Sequence, residues 1–290
     1  MTEKQENNNS FADLKASLDS YRNETRIAYG ELRNILDPEI LREEIFSNPE
    51  VFEALAKREE QLFNEETEFV FGYSNMAKGQ SGVVANIGSG WGVFSRAAVL
   101  RNQNLTVMDV DFNPVVCLHD QAYNHAHTTS NIPFDRIQNF VMDAGALGIA
   151  PGSIDEVISF GVMRYIPQDK QEQVVSEALR TAKPGARIII GDVNTQAVNS
   201  FEQILSKNGI KASREQQEIE VLRATTFYFY YLLYAGKLPK NDNSLPLSLD
   251  NIKEQVDIIA KTEGISAIGV LLDLAGKDKR LAEVLVFDKV

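Results

Sequence analysis

The sequence predicts an α/β fold built on a parallel sheet covered by helices on both faces, and three observations carry that prediction. From Gly82 onward, short apolar runs rich in β-branched residues alternate with amphipathic helical patterns. The first of these runs opens into a glycine-rich turn ahead of a helix. Before the fifth run, Lys183-Pro184-Gly185 supplies a reversal in which proline fixes φ and glycine permits the bend.

Taken in order, Met1 to Ser10 is polar and charged, with three consecutive asparagines and no apolar face to bury, and reads as a disordered tail (1–10). A helical extension (11–78) follows. Phe11, Leu14, Leu18 and Tyr21 recur at helical spacing, Ala28, Leu32 and Ile35 continue the pattern, and Asp37-Pro38 interrupts it. Asn48 is placed to cap a second helix with Pro49 in its first turn and Val51, Phe52, Leu55, Leu62 and Phe63 along it. The candidate strands are then Val83 to Ile87, Leu105 to Val110, Ile137 to Met142, Glu156 to Phe160 and Arg187 to Asp192. After Asp192 the alternation lapses, and 194–246 reads as a helical cap inserted between the two parts of the sheet domain, 79–193 and 247–290. Within the cap, Phe227 to Tyr234 is the densest aromatic stretch, read chiefly as core packing and alternatively as the wall of a substrate pocket. Ser248 is placed to cap a helix from Leu249 to about Lys261. Ile265 to Leu274 and Leu281 to Asp288 read as two further strands joined in a hairpin.

Composition excludes several function classes. Hydrophobic residues at 43% and charged residues at 24% are the proportions of an ordinary globular chain. A formal charge of -12 repels a phosphate backbone, so no nucleic acid partner is expected. Cys117 is the single cysteine and cannot close an intramolecular disulfide, which points to a reducing, cytoplasmic setting. No apolar run reaches the roughly 20 residues that span a bilayer, and no secretion signal opens the chain, so no membrane association is expected. His119, His125 and His127 fall in the helix and loop after the second strand, away from the strand tips, and are read as neither catalytic nor metal-binding.

The chemistry concentrates where strands end. Val83 to Ile87 runs into Gly88-Ser89-Gly90-Trp91-Gly92, a turn whose glycines let the backbone approach a ligand and whose following helix presents amide donors. Its spacing is G-x-G-x-G, with valine at position 93, which fits a dinucleotide pyrophosphate less well than G-x-G-x-x-G. The second strand ends at Asp109-Val110-Asp111-Phe112-Asn113-Pro114, placing Asp111, 19 residues beyond Gly92, where a carboxylate can accept both hydroxyls of a ribose. Asp109 shares a face with Asp111, which also suggests a metal pair, but no third ligand stands at a recognisable spacing and no metal is expected. The third strand ends at Asp143-Ala144, a candidate acceptor for an exocyclic amine.

These motifs, in this order, resemble the class I S-adenosylmethionine-dependent methyltransferases, over roughly Gly82 to Asp192 and more weakly over Ser248 to Val290. Asn86, Gly88, Ser89, Gly90 and Gly92 resemble the family's methionine-binding loop. Asp111 and Phe112 resemble its ribose-binding strand end, Asp143 and Ala144 its adenine contact, and Ile154 to Tyr165, with Phe160, its fourth-strand motif. The resemblance implies a Rossmann-like, seven-stranded, mostly parallel sheet with an antiparallel last strand, and S-adenosyl-L-methionine as cofactor. It also implies methyl transfer to the oxygen or nitrogen of a small-molecule acceptor by in-line displacement in an enclosed cleft. The first and last helical segments are expected to enclose the acceptor.

Two departures bear on the chemistry. Asn86 stands where the family usually has an acidic residue, exchanging a charged contact near the methionine ammonium for a neutral one. Arg164 stands where many small-molecule members carry histidine, so a fixed cation replaces a general base; an anionic acceptor is one inference and a structural ion pair the other. Arg164 and Tyr165 are the candidate catalytic residues, although an in-line transfer from a sulfonium needs orientation more than a base. The alternatives are a catalytically silent or regulatory binder of the cofactor and a nicotinamide-dependent enzyme of the same fold. The Ser159-Phe160-Gly161-Val162 sequence lacks the motif of amino-methylating DNA enzymes.

Overall fold

The strands seen in the computed structural model begin and end close to where the alternation places them; the structure describes residues 11–20, 48, 50–51, 54, 64–128, 133–222, 224–236 and 249–289. The strands are β1 (Gly82–Ile87), β2 (Leu105–Asp111), β3 (Ile137–Val141), β4 (Ile154–Phe160), β5 (Ala182–Asp192), β6 (Ser213–Leu222) and β7 (Lys277–Asp288). They form one seven-stranded sheet in the order β3-β2-β1-β4-β5-β7-β6. The ladders β3-β2, β2-β1, β1-β4 and β4-β5 are parallel, and β7 runs antiparallel to β5. This is the expected Rossmann-like sheet. The order reverses between β1 and β4, and in such a sheet ligands bind outside the carboxyl ends of the strands at that switch point.

The helices are α1 (Asn64–Phe71), α2 (Val93–Arg101), α3 (Pro114–His127), α4 (Gln168–Thr181), α5 (Thr195–Lys207), α6 (Ala224–Tyr234), α7 (Leu249–Glu263) and α8 (Ala267–Ala275). Alternation along the strands sorts side chains between two faces. Ala85, Ile87, Val110, Val157, Ile188 and Ile190 pack on one face with Val174, Val175 and Ala178 of α4 and Phe201 and Leu205 of α5. The opposite face carries Val84, Asn86, Val107 and Asp109 and is covered by α2 and α3. Apolar at depth, that second face turns polar toward the strand tips.

The chain divides into two compact units, Met1–Ala54 with Leu222–Asp278, and Leu55–Val221 with Lys279–Val290. In the unit that holds the sheet, Glu156 accepts from the backbone N–H groups of Asn75 at 2.8 Å and Met76 at 3.3 Å, and from Ser74 Oγ. Residues 74–76 are thereby tied to β4, although 11–78 was expected as one helical extension. In the other unit, residues 11–20 are helical with Leu14 and Leu18 buried as their spacing predicts. Asn48 Oδ1 accepts from Glu50 N at 3.0 Å and Val51 N at 3.4 Å, the predicted cap. Phe227, Phe229, Tyr230 and Tyr231 of α6 are buried, the packing role expected of them. The calls on Met1 to Ser10, Tyr21, Ala28, Leu32, Ile35, Asp37-Pro38, Pro49, Phe52, Leu55, Leu62, Phe63 and Ser248 lie outside the described residues.

Three expectations are corrected. Ile265 to Leu274 is not a strand: Ser266 accepts from Gly269 N at 3.0 Å and opens α8, so no hairpin joins it to β7. Ile268, Val270, Leu271, Leu272 and Leu274 are all buried, and a helix that is apolar on nearly every side shows no helical period to read. The segment 194–246 is not wholly a helical cap, because β6 joins the sheet and the unit containing β6 also takes in α5. With six charged or amide residues among its ten, β6 lacks an apolar face to betray it; Arg214 anchors it to Glu202 at 2.7 Å and Glu283 at 2.9 Å. Conversely, α7 and α8 fall in the helical unit, so 247–290 is divided between the two units. Lys183-Pro184-Gly185 lies inside β5 as an irregularity in its register with β4, with Gly185 at φ 78°.

Candidate functional site

Because β1 to β4 run parallel, their carboxyl ends share one edge of the sheet, and the predicted site residues are brought together there. Ile87 pairs with Val110 and Asp111 with Val141, so the tips of β1, β2 and β3 are adjacent. Met142 N donates to Asp111 O at 3.0 Å, carrying the ladder one step further, to the residue before Asp143.

After β1 the chain turns back over the tip of β2, with Gly88 N and Ser89 N both donating to Val110 O at 2.7 and 3.1 Å. Gly88, Gly90 and Gly92 hold φ values of 75°, 53° and 67°. Two of them explain the turn. At Gly92 a Cβ would lie 2.3 Å from Asp120 Oδ1, so the loop can settle against α3 only without a side chain. At Gly90 a Cβ would meet nothing within 4 Å, and the backbone there is open to approach.

Asp111 is tied into the same turn. Its Oδ2 accepts from Gly90 N at 3.1 Å and its Oδ1 from Asn113 N at 2.9 Å. Burial raises its carboxyl above the ordinary value, against the lowering effect of the backbone donors from Asn113, Gly90 and Phe112. Two bonds leave a carboxylate roughly two further lone-pair directions for hydroxyl donors. Asn113 in turn caps α3, accepting from Val115 N at 3.0 Å ahead of Pro114 in the first turn. Phe112 is 62% exposed at the strand tip, an unusual state for so large an apolar ring. Asp143 is exposed, with Oδ1 accepting from Gly145 N at 2.8 Å, and Ala144 beside it is half-buried. At the β4 tip, Phe160 is half-buried and Ser159 Oγ donates to Ile87 O at 2.9 Å, stitching β4 to β1.

Asn86 is placed differently from the resemblance. It is buried beneath the loop, donating from Nδ2 to Ser95 Oγ and to Asp109 Oδ1, both at 3.0 Å. Around it lies a buried polar cluster that sequence reading did not assemble. Arg96 donates from Nη1 to Asp120 Oδ1 and from Nη2 to Trp91 O, each at 2.5 Å, and stacks over Tyr123 at 4.7 Å. Asp120 Oδ2 accepts from Asn124 at 3.3 Å and from Asn139. The signal was present but faint: Asp120 is a charged residue at helical spacing with the buried Val116, Cys117, Tyr123 and Asn124.

The two candidate catalytic residues follow the β4 tip in a short 3-10 turn, Met163–Tyr165. Arg164 is paired with the fully buried Asp192, Nη2 to Oδ1 at 2.6 Å and Nε to Oδ2 at 3.3 Å, and its backbone N–H also donates to Oδ2. The structural ion pair, one of its two expected readings, is the arrangement seen. Tyr165 is 74% exposed, with the Arg164 guanidinium 5.7 Å from its ring centre. Among the described residues no group of three or more His, Cys, Asp or Glu side chains could hold a metal ion. Burial, with Asp111 next, pushes the Cys117 thiol up to about 11, so the lone cysteine is no nucleophile.

Residues 85–190 match the family model described as a methyltransferase domain. That interval runs from β1 through the glycine-rich loop and the four strand tips to β5. No curated protein matches the chain. Among solved structures, a phosphoethanolamine N-methyltransferase from Haemonchus contortus, in complex with phosphomonomethylethanolamine and S-adenosylhomocysteine, is similar at 16% identity. The likeness covers 86% of this chain and 59% of that one, with a TM-score of 0.50, and bears on the fold alone. A geranyl diphosphate C-methyltransferase from Streptomyces coelicolor A3(2), with Mg2+, geranyl diphosphate and S-adenosyl-L-homocysteine, is similar at 12% identity, 79% and 80% coverage and a TM-score of 0.47. The match over the glycine-rich loop and parallel strands, in a sheet of this order, identifies residues 85–190 as a methyltransferase domain of the S-adenosylmethionine-dependent kind.

Proposed function

We propose that the protein transfers a methyl group from S-adenosyl-L-methionine to the oxygen or nitrogen of a small-molecule acceptor. The observation that carries this reading is the convergence of three tips, Gly88 to Gly92, Asp111 with Phe112, and Asp143 with Ala144, at the switch edge of the sheet. The residues present fit an adenosyl-sulfonium ligand: backbone open at Gly90, a carboxylate at Asp111 with acceptor capacity to spare, and an exposed aromatic ring at Phe112.

In this reading Asp111 accepts from the ribose hydroxyls and Asp143 from the adenine amine. Phe112 and Ala144 flank the base, while Gly88, Ser89 and Gly90 line the methionine portion. When bound, the cofactor supplies a methyl group on a positively charged sulfur, an electrophile that needs no metal activation. The protein's work is orientation and exclusion of water. A neutral Asn86 engaged with Ser95 and Asp109 acts by supporting the loop from beneath, not as a direct charged contact. Arg164, held by Asp192, shapes the β4 tip, and Tyr165 is the exposed hydroxyl nearest it in sequence.

The formal charge of -12 disfavours a nucleic acid acceptor. Among the described residues no helix is long and apolar enough to cross a membrane. Calorimetry with S-adenosylmethionine and S-adenosylhomocysteine, followed by a screen of labelled methyl incorporation across metabolite classes, tests the reading. Binding of both with label appearing in a small molecule is expected; binding of neither at high concentration overturns it.

A further inference from the structure

Asn86, Asp109 and Asn139 are register partners on the adjacent parallel strands β1, β2 and β3, so their side chains stand in a row on one face of the sheet. Asn86 and Asp109 are buried beneath α2 and α3, with Asp109 fully inaccessible, and Asn139 is half-buried. Asp109 Oδ1 accepts twice, from Asn86 Nδ2 at 3.0 Å and from Ser95 Oγ. Its Oδ2 is buried and meets no donor, and the neighbouring Asn139 Oδ1 is likewise buried and without a donor. Orphaned buried oxygens are rare in folded proteins, and two on register-paired residues share one remedy. A single hydrogen between them satisfies both.

We propose that Asp109 is a positioning residue that carries a proton on Oδ2 and donates it to Asn139 Oδ1, closing a hydrogen-bonded circuit behind the glycine-rich loop. The circuit runs from Asn86 to Asp109, to Asn139, to Asp120 through Asn139 Nδ2, to Arg96, and from Arg96 Nη2 to the Trp91 carbonyl in the loop itself. Charge supports the assignment. Asp109, Asp120 and Arg96 form one buried cluster, which with both carboxyls ionised would hold an uncompensated negative charge. Asp120 uses both oxygens as acceptors, from Arg96 on one side and Asn124 and Asn139 on the other, leaving Asp109 to hold the proton. Burial first, and the Asp120 carboxylate second, hold the Asp109 carboxyl well above the usual range; Ser95, Asn86 and Arg96 oppose this. The other titratable groups nearby are Asp111 on the same face of β2 and the thiol of Cys117 on α3.

The arrangement also accounts for the neutral residue at position 86. An acidic side chain there would set a second carboxylate against Asp109 Oδ1, where Asn86 donates. A group whose folded-state pKa is raised contributes its stability fully at acid pH and loses it as pH climbs through the folded-state value. Loss of the Asp109 proton therefore opens the circuit, frees Trp91 and its loop, and weakens cofactor binding as pH rises.

Two measurements on the full chain test this. The infrared difference spectrum between wild type and D109N, without ligand near neutral pH, is expected to show the carbonyl stretch of a protonated carboxyl lost in the variant. Finding an ionised carboxylate instead overturns the inference. Should D109N not fold, N139A serves: it removes the proton's acceptor and is expected to move the Asp109 band's disappearance to lower pH, and an unmoved band overturns the inference. The second measurement, which rests on the function proposed above, is the affinity for S-adenosylhomocysteine against pH. Wild type is expected to lose about tenfold as Asp109 ionises. D109N, whose amide is a permanent donor, is expected to lose that dependence, and retention of it overturns the inference. If S-adenosylhomocysteine binds neither protein, the proposed function fails while the infrared band still decides the Asp109 proton.

Discussion

Arg96 and Asp120 form a fully buried ion pair whose arginine also grips the glycine-rich loop, with one Nη 2.5 Å from the Asp120 carboxylate and the other 2.5 Å from the Trp91 carbonyl. The pair joins α2 to α3 across the polar face of the sheet. Its asymmetry under mutation follows from desolvation: removing one partner strands the other in a place that water does not reach. Arg96→Met is accordingly expected to cost about 3–5 kcal/mol of unfolding free energy. Urea denaturation of both proteins checks this, and a loss below about 1 kcal/mol would show that Asp120 finds another partner.

Gly92 abuts that pair. An alanine there meets both the left-handed φ of 67° and the Asp120 carboxylate 2.3 Å from its Cβ. The backbone strain alone costs about 1–2 kcal/mol, and displacing a buried carboxylate adds to it. Gly90→Ala keeps the strain but meets no neighbour. Thermal unfolding should therefore rank Gly92→Ala clearly below Gly90→Ala, whereas cofactor affinity should be reduced in both; equal stability of the two would refute the packing argument.

Asp111 stands between fold and ligand. Replacing it by alanine removes the acceptor for Gly90 N and Asn113 N as well as the proposed ribose contact. A loss of about 2–3 kcal/mol in binding, roughly 30- to 160-fold, is expected in calorimetry with S-adenosylhomocysteine. An unchanged dissociation constant would place the cofactor elsewhere.

Arg164 separates the two readings its position allows. With Asp192 fully buried and bound at 2.6 and 3.3 Å, Arg164→Gln should lower stability by about 1–3 kcal/mol. Asp192→Asn should do likewise, and the double variant should cost less than the sum. A cation reserved for an anionic acceptor would instead leave stability untouched and raise only the Michaelis constant for that acceptor.

Cys117 gives a pH dependence of known sign. Burial, and then Asp111, push its thiol from 9.0 to about 11, so the folded chain holds the proton more tightly than the unfolded one. Its contribution to stability is complete below about 9 and is withdrawn as pH rises toward about 11. Cys117→Ser should flatten the stability profile across that window, and iodoacetamide should label Cys117 only after unfolding; rapid labelling of the folded chain would contradict the burial.

Legibility in the sequence tracked how far a pattern was local. The first five strands and the glycine-rich turn announce themselves through short apolar runs and adjacent glycines, and the tips at Asp111 and Asp143 follow from where those runs stop. β6 and α8 were misread for opposite reasons, one too polar to look buried and the other too apolar to show a period. The circuit beneath the loop was out of reach because Asn86, Arg96, Asp109, Asp120 and Asn139 meet only through strand register and helix docking. Arg164 is legible as a cation after the fourth strand, but its partner Asp192 closes a different strand, 28 residues further on.

The placement of β7 between β5 and β6 has a kinetic corollary. When β6 leaves the ribosome its sheet neighbour has not yet been made, because α6, α7 and α8 are translated first. A nascent β6 thus waits with unpaired amides, a hazard for sticking to other chains, and its sequence Ser-Arg-Glu-Gln-Gln-Glu is the sort of charged, water-loving strand that can wait safely.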